Sequence, residues 1–433
     1  MRALLTDEDA RLITLSRHSH QFQPDATTNP HQLRRLIEDC IDQVLTHPAA
    51  QHITAVGMAT FVGNLLVDDT LYTYADTRAS SAAEALSKRY DMEEIHARTG
   101  CRIHSAYHPA KLHWLKSKSA HYTDFATYCY SLWFGRDVPC SYSVASWSGL
   151  LNRHTLTWDE TWLTALNLTP EMFPTLADFT AVQIGLAPDY AARWSILRDV
   201  PFYLAVGDGA AANIGSGGTT ADSPVLTIGT TAAMRIVTST LQPVSAGLWS
   251  YRVDAARHLI GGATNEGGNI FAWARETLRL DQFDDALLQR QVGEHGLNVL
   301  PLLAGERSPG YRADAVGVIH GLRLDTSPLD ILHAMLEGVA LRLRLIYDLM
   351  GRPGDYVLAG GGALSQSPAW RQILADVLAV PLHMVDSPEA TARGVALLIT
   401  GKNTPPPILE IIQPRETDRI QELLDRQQNL FAC

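Results

Sequence analysis

The clearest pattern in the chain lies between residues 328 and 350, where Leu332, Met335, Leu336, Val339, Leu343, Ile346 and Met350 recur at helical spacing. It predicts a helix over Pro328–Met350, with Ser327 as N-cap and Pro328 at the first helical position. A second helix is predicted over Asn29–Leu45 from Leu33, Leu36, Ile37, Ile41, Val44 and Leu45. Strands announce themselves as short apolar or β-branched runs between turn residues, at Ile53–Ala59, Asn64–Val67, Pro201–Val206, Val225–Ile228, Tyr356–Ala359 and Leu382–Val385. At the start, Arg2–Thr6 and Ala10–Leu15 flank Asp7-Glu8-Asp9 and read as a hairpin. After residue 350 a strand, a glycine triplet, a helix from Pro368, a strand and a packed helix through Ala390–Ile399 alternate, which marks an α/β half. Pro405-Pro406-Pro407 reads as a stiff connection to a C-terminal helix. From about Thr99 to Arg198 the pattern weakens among many aromatics, with helical stretches such as Asp159–Leu166.

Length changes the picture first: 433 residues exceed what one hydrophobic core serves, so two domains with a cleft between them are expected. With 46% hydrophobic and 19% charged residues the chain is apolar enough to fold. A net charge of −11 argues against nucleic-acid or anionic-membrane partners, which need a concentrated basic field. Arg342-Leu343-Arg344 is expected as a solvated helix edge. Five scattered cysteines, Cys40, Cys101, Cys129, Cys140 and Cys433, show no CxxC spacing and imply neither a disulfide framework nor a zinc site. No secretory leader or 18-residue apolar run occurs, so a cytoplasmic location is expected.

Candidate chemistry gathers where apolar strands run into glycine. In Ala205-Val206-Gly207-Asp208-Gly209-Ala210 an acidic residue stands just past a buried strand with no bulky neighbour. Phosphoryl transfer needs such a carboxylate to accept a hydroxyl proton, although the same Asp could simply cap the following helix. Gly229-Thr230-Thr231 follows a strand and offers N–H groups and hydroxyls to a phosphate, or forms a plain hairpin turn. Gly360-Gly361-Gly362-Ala363-Leu364-Ser365-Gln366-Ser367 could receive a nucleotide on its backbone, or serve as a tight connection. Neither GxGxxG nor GxxxxGK[ST] is present, so Rossmann and Walker phosphate loops are unsupported.

In this order and spacing, the three glycine-flanked strand ends resemble the FGGY carbohydrate kinases. Further similar stretches are Gly305-Glu306-Arg307-Ser308-Pro309, Gly317–Glu337 with Gly321, Leu322 and Asp330, and Glu389–Leu397. In the N-terminal half, Ala55–Phe61, Tyr74-Ala75-Asp76-Thr77-Arg78 and Lys111-Leu112-His113-Trp114-Leu115 look most like gluconokinase-type members. The resemblance implies an α/β fold of two ribonuclease-H-like domains, of the actin/Hsp70 ATPase type, around a central cleft. The expected division is residues 1–220 for the sugar and 221–433 for the nucleotide, with a hinge near 218–224.

It further implies ATP and Mg²⁺ as cofactors and Asp208 as the catalytic base. ATP would be held by Gly229, Thr230, Thr231, Gly361, Gly362, Ser365 and Gln366. The small-molecule sugar or sugar acid, gluconate ahead of a pentulose, would be held by Thr60, Phe61, Asp76, Arg78 and Asp208. Arg78 could pair with a sugar carboxylate or simply with Asp76 next to it. No separate protein-held metal site is expected, and a homodimer is compatible with the resemblance. Members begin with a strand and an Asp-x-Gly-Thr-type loop, whereas this chain opens at Met1-Arg2-Ala3-Leu4-Leu5, expected just after it. The alternative expectation is therefore a truncated or impaired member that binds nucleotide or sugar without turnover. At Val62-Gly63 the chain also lacks the larger residue and the polar one, often His, that relatives place against the sugar.

Overall fold

The computed structural model describes residues 1–116, 121–280, 282–312 and 314–431, which leaves Cys433 outside the described residues. Its largest sheet has seven strands in the order Trp249–Arg252, His258–Thr264, Ala232–Thr238, Val225–Ile228, Val357–Gly360, Leu382–Val385, Ile408–Ile412. Val225–Ile228, Val357–Gly360 and Leu382–Val385 run parallel, and the strands outside them are antiparallel to their neighbours. The helix Pro328–Leu349 packs against this sheet through the predicted stripe, with Leu332, Leu336, Val339, Leu343 and Ile346 fully buried. Each such side chain contributes about 1.5–3 kcal/mol by leaving water, which fixes the helix to the sheet more firmly than helix propensity could. Ser327 caps it as predicted, in a reciprocal capping box with Asp330.

Two expectations in this half are corrected. Arg342 and Arg344 are buried rather than solvated: Arg342 pairs with Glu306, and Arg344 reaches Asp348 at 2.8 Å and the Val377 carbonyl at 2.6 Å. The reason is that the long helix is covered on a second side, by the Glu306 loop and the helix Pro368–Leu378. After the proline run comes an edge strand, Ile408–Ile412, and only then the helix Ile420–Asn429. Ile408, Leu409, Ile411 and Ile412 are β-branched or apolar enough to extend the sheet beside Leu382–Val385.

The N-terminal half divides its strands among several short sheets. The predicted hairpin forms from Arg2–Thr6 and Leu12–Arg17, and the helix Pro30–Leu45 is capped by the Asn29 side chain. Of the expected strand Ile53–Ala59, only Ala59–Thr60 forms a regular ladder. The rest still runs parallel to 201–207 through irregular bonds: Val56 N–H to the Pro201 carbonyl, Tyr203 N–H to Val56, and Val206 N–H to Met58, at 2.8–2.9 Å. Aromatics from the weakly patterned region fill the core beneath, including Phe125, Tyr130, Trp133 and Trp194, and Phe202 of the following segment joins them.

The halves meet along two seams. The edge strand Trp249–Arg252 is covered by the other half: Ser250 N–H donates to the Gly100 carbonyl at 2.9 Å and Arg252 N–H to Ser146 Oγ at 2.9 Å. The helices Asp208–Gly215 and Ala390–Thr400 cross at almost backbone contact. A methyl placed on Gly215 would lie 1.8 Å from the Ala390 carbonyl, and one on Gly394 would lie 1.8 Å from that of Ala211. Only glycine permits this approach.

Candidate active site

Both halves present a pair of parallel strands, Ala59–Thr60 with Val206–Gly207 and Val225–Ile228 with Val357–Gly360, and the C-terminal ends of such strands are where α/β sheets hold ligands. In the N-terminal half the pairing of Gly207 with Thr60 sets Asp208 beside the end of the neighbouring strand. Asp208 is the first residue of the helix Asp208–Gly215, and Gly207 is the N-cap. Among the described residues its Oδ1 accepts only the Gly209 N–H, at 2.7 Å, so the side chain does not cap the helix in the usual way. The space left by the flanking glycines belongs to Trp147. A methyl on Gly207 would lie 2.7 Å from the indole Nε1, and one on Gly209 would lie 2.8 Å from the ring. Trp147 in turn stacks on Tyr251 with centroids 3.6 Å apart, and the Tyr251 and Tyr107 hydroxyls are 2.5 Å apart.

Burial raises the Asp208 carboxyl from an ordinary 3.8 to about 6, against the opposing pull of the Gly209 N–H and the Arg235 cation. The group is therefore mostly ionised at neutral pH while remaining basic enough to take a proton. Arg235 stands on the strand Ala232–Thr238, and its Nε would lie 3.8 Å from a methyl on Gly209. Burial lowers its pKa to about 10, an unusual depression for a guanidinium. His104, close to Arg307 and Lys111, is pushed down to about 4 chiefly by burial and is neutral. These aromatic and basic groups carried no strand or helix signature; Trp147 and Tyr107 come from the stretch whose pattern is weakest, and Arg235 breaks an otherwise apolar strand.

In the C-terminal half, Gly229, Thr230 and Thr231 form the exposed turn after Val225–Ile228. Gly361 follows the adjacent strand with φ +107°, ψ 154°, a conformation open to glycine alone, and a methyl there would lie 2.3 Å from the Ile228 carbonyl. Gly362, Ser365 and Gln366 are exposed beyond it. A third turn joins them: Gly268 N–H donates to the Gly229 carbonyl at 2.7 Å, and a methyl on Gly268 would lie 3.0 Å from Ala363 Cβ. Sequence reasoning passed over this turn, although Gly267-Gly268 between a strand and the amphipathic helix Asn269–Leu278 is a legible signal. Three turns thus meet, held together by the Gly229, Gly267 and Gly268 N–H groups, and the exposed Thr230 and Thr231 hydroxyls and the backbone at Gly362 are left to meet phosphates. Arg235 lies four residues along its strand from Thr231, about 13 Å at the usual rise. That strand physically links the phosphate-type turns to the neighbourhood of Asp208.

Among the expected sugar contacts, Thr60 lies beside Asp208, whereas Phe61 packs between Phe22 and Phe125 with centroids 6.0 and 5.9 Å away. Asp76 is buried and takes Arg78 in a two-pronged pair at 2.9 and 2.7 Å; Arg78 also reaches Asp25 at 2.9 Å and lies over Trp114. Lys111 is fully buried, donating to the Ser105 and Ala106 carbonyls at 2.9 and 2.8 Å. Burial lowers its pKa to about 7. It braces the loop that carries Tyr107. Among the described residues no three His, Cys, Asp or Glu side chains cluster to hold a metal ion, and no helix is long and apolar enough to cross a membrane.

Residues 1–215 match the N-terminal domain of the FGGY family of carbohydrate kinases, and residues 225–400 match its C-terminal domain. A gluconokinase of Bacillus subtilis (strain 168) is 26% identical over 420 residues, covering 88% of this chain and 82% of that protein. The crystal structure of gluconate kinase from Lactobacillus acidophilus superposes with a TM-score of 0.89 at 23% identity, over 100% of this chain and 95% of that one. A ligand-bound xylulose kinase from Lactobacillus acidophilus gives the same TM-score, identity and coverage, so the fold is common to kinases of different sugars.

Proposed function

Because the chain belongs to the FGGY family of carbohydrate kinases, we propose that it transfers the γ-phosphoryl group of ATP to a hydroxyl of a sugar acid, gluconate ahead of pentuloses. The observation that carries the mechanism is the Asp208 carboxylate, held at about 6 by burial, next to the Arg235 cation, whose strand begins at the Gly229-Thr230-Thr231 turn. Asp208 accepts the proton of the attacking hydroxyl as the phosphoryl group moves. Residues 229–231 and 361–366 take the nucleotide through the Thr230 and Thr231 hydroxyls and the backbone that opens the helix at Gly362, while Gly267 and Gly268, whose N–H groups bond Asn269 Oδ1 and the Gly229 carbonyl, hold the turns together. Mg²⁺ would neutralise phosphate charge when bound, with the Thr230 and Thr231 hydroxyls as the side chains to hold it beside the nucleotide. The halves, 1–220 and 221–433, close about the connection 218–224 and the glycine crossing of Gly215 and Gly394, excluding water that would compete as acceptor. The preference for gluconate is supported by gluconokinases of Bacillus subtilis (strain 168) and Bacillus licheniformis, each 26% identical over 88% of the chain.

A coupled ADP assay against gluconate, xylulose, ribulose, glycerol and no acceptor tests this reading. Acceptor-stimulated turnover is expected, highest in kcat/KM with gluconate. Nucleotide and sugar binding without turnover against any acceptor would establish the impaired alternative instead.

A further inference from the structure

Most arginines in this chain are engaged. Arg78 holds Asp76 and Asp25, Arg257 holds Asp254, Arg312 and Arg342 share Glu306, and Arg193 holds Glu38 and Asp42. Two close to Tyr251 are not. The Arg235 Nε is buried without any hydrogen-bond partner, and among the described residues neither Arg235 nor Arg307 makes an ion pair within 4 Å. They nonetheless lie near enough to repel one another, and both lie close enough to Tyr251 to interact with it electrostatically. A guanidinium whose Nε is buried without a partner is costly, and a protein of net charge −11 has carboxylates in excess with which to neutralise it. The walls around the pair are aromatic: Trp147 stacked on Tyr251, and Tyr107 bonded to Tyr251. The turn of the Asp208 helix is directly adjacent, through Gly209.

We propose that Arg235, backed by Arg307, is the specificity determinant of the acceptor site: its guanidinium binds the carboxylate of a sugar acid and thereby sets a hydroxyl of the same molecule on Asp208. This assignment rests on the sugar-kinase reading above and names what selects an acid over a neutral polyol. Planar guanidinium groups match carboxylates in two-pronged fashion, and in a low-dielectric pocket the pairing is strong. Arg78, the other basic candidate, already spends its fork on Asp76 and reaches Asp25. The nearby Asp208 charge stays outside ion-pair distance and so leaves the Arg235 fork free for ligand.

The test is titration calorimetry of the full chain with sodium gluconate, with glucitol, which replaces the carboxylate by an alcohol, and with ATP. The unsubstituted protein is expected to bind gluconate at least tenfold more tightly than glucitol. In Arg235→Gln this ratio falls to about one while ATP affinity stays within twofold; Arg307→Gln reduces it partially. Arg235→Lys keeps the charge but not the fork and should fall between, which also carries the test if the glutamine variant fails to fold. A gluconate preference retained in Arg235→Gln, or a loss confined to ATP, which would make the cation a phosphate reader, overturns the assignment. Absence of any gluconate preference in the unsubstituted chain would instead sink the sugar-acid reading on which it stands.

Discussion

Replacing Asp208 by Asn removes the base while keeping nearly the same shape, and the structure makes an unusual double forecast for it. Loss of a positioned general base lowers the rate by about 100- to 10,000-fold, with kcat and kcat/KM falling together because the proton transfer occurs in the transition state. Stability should move the other way. Burial raises the carboxyl from 3.8 to about 6, so the folded state binds a proton that the unfolded chain has released. Between those values stability therefore falls as pH rises, and at pH 7 the buried charge is a net cost. The full shift corresponds to at most about 3 kcal/mol, which residual exposure of the side chain reduces to about 1–2 kcal/mol. Asparagine lifts that cost, so Asp208→Asn should melt about 2–5 °C higher at pH 7 and show no such gain at pH 4. Coupled ADP assays and scanning calorimetry at both pH values check the pair of effects. Activity within tenfold of the unsubstituted chain, or activity and melting temperature falling together at pH 7, would refute the reasoning and return Asp208 to a structural part.

The kcat/KM profile for the acceptor should have an acid limb with a pKa near 6, rising with pH as Asp208 ionises; a limb near 4 would mean that burial does not govern this group. Gly361→Ala forces a side chain into φ +107° and to 2.3 Å from the Ile228 carbonyl. It should cost about 1–3 kcal/mol in denaturant melts and raise the KM for ATP rather than for the acceptor. Glu306→Gln strands Arg342 in the core beside a second cation, Arg312, and should cost about 3–5 kcal/mol in a urea melt. Arg342→Leu should cost clearly less, because Glu306 keeps Arg312 at 3.0 Å.

Regions with a regular apolar period between clear turn and cap residues were readable from the sequence. The stripe from Leu332 to Ile346, the Ser327 cap and the strands Val225–Ile228 and Leu382–Val385 stand where periodicity and turn chemistry put them. Arg342 and Arg344 defeat that logic because their partners, Glu306 and the Val377 carbonyl, come from 36 and 33 residues away, and no local pattern announces a second covering layer. Ile408–Ile412 was hidden by the preceding prolines, whose stiffness says nothing about pairing with Leu382–Val385. The glycine turns carried their own signal, since Gly361 is held in a conformation other residues avoid. The walls of the crevice did not: Trp147, Tyr107, Tyr251 and Arg235 acquire meaning only when the two halves bring them together.

The most direct measurement is a crystal structure of the chain with gluconate and a non-hydrolysable ATP analogue. It should place an acceptor hydroxyl about 3 Å from a carboxylate oxygen of Asp208, with the phosphates lying against residues 229–231 and 361–366 and the terminal one facing that hydroxyl. A sugar bound with Asp208 facing away from it, or phosphates seated elsewhere than on those turns, would contradict the account.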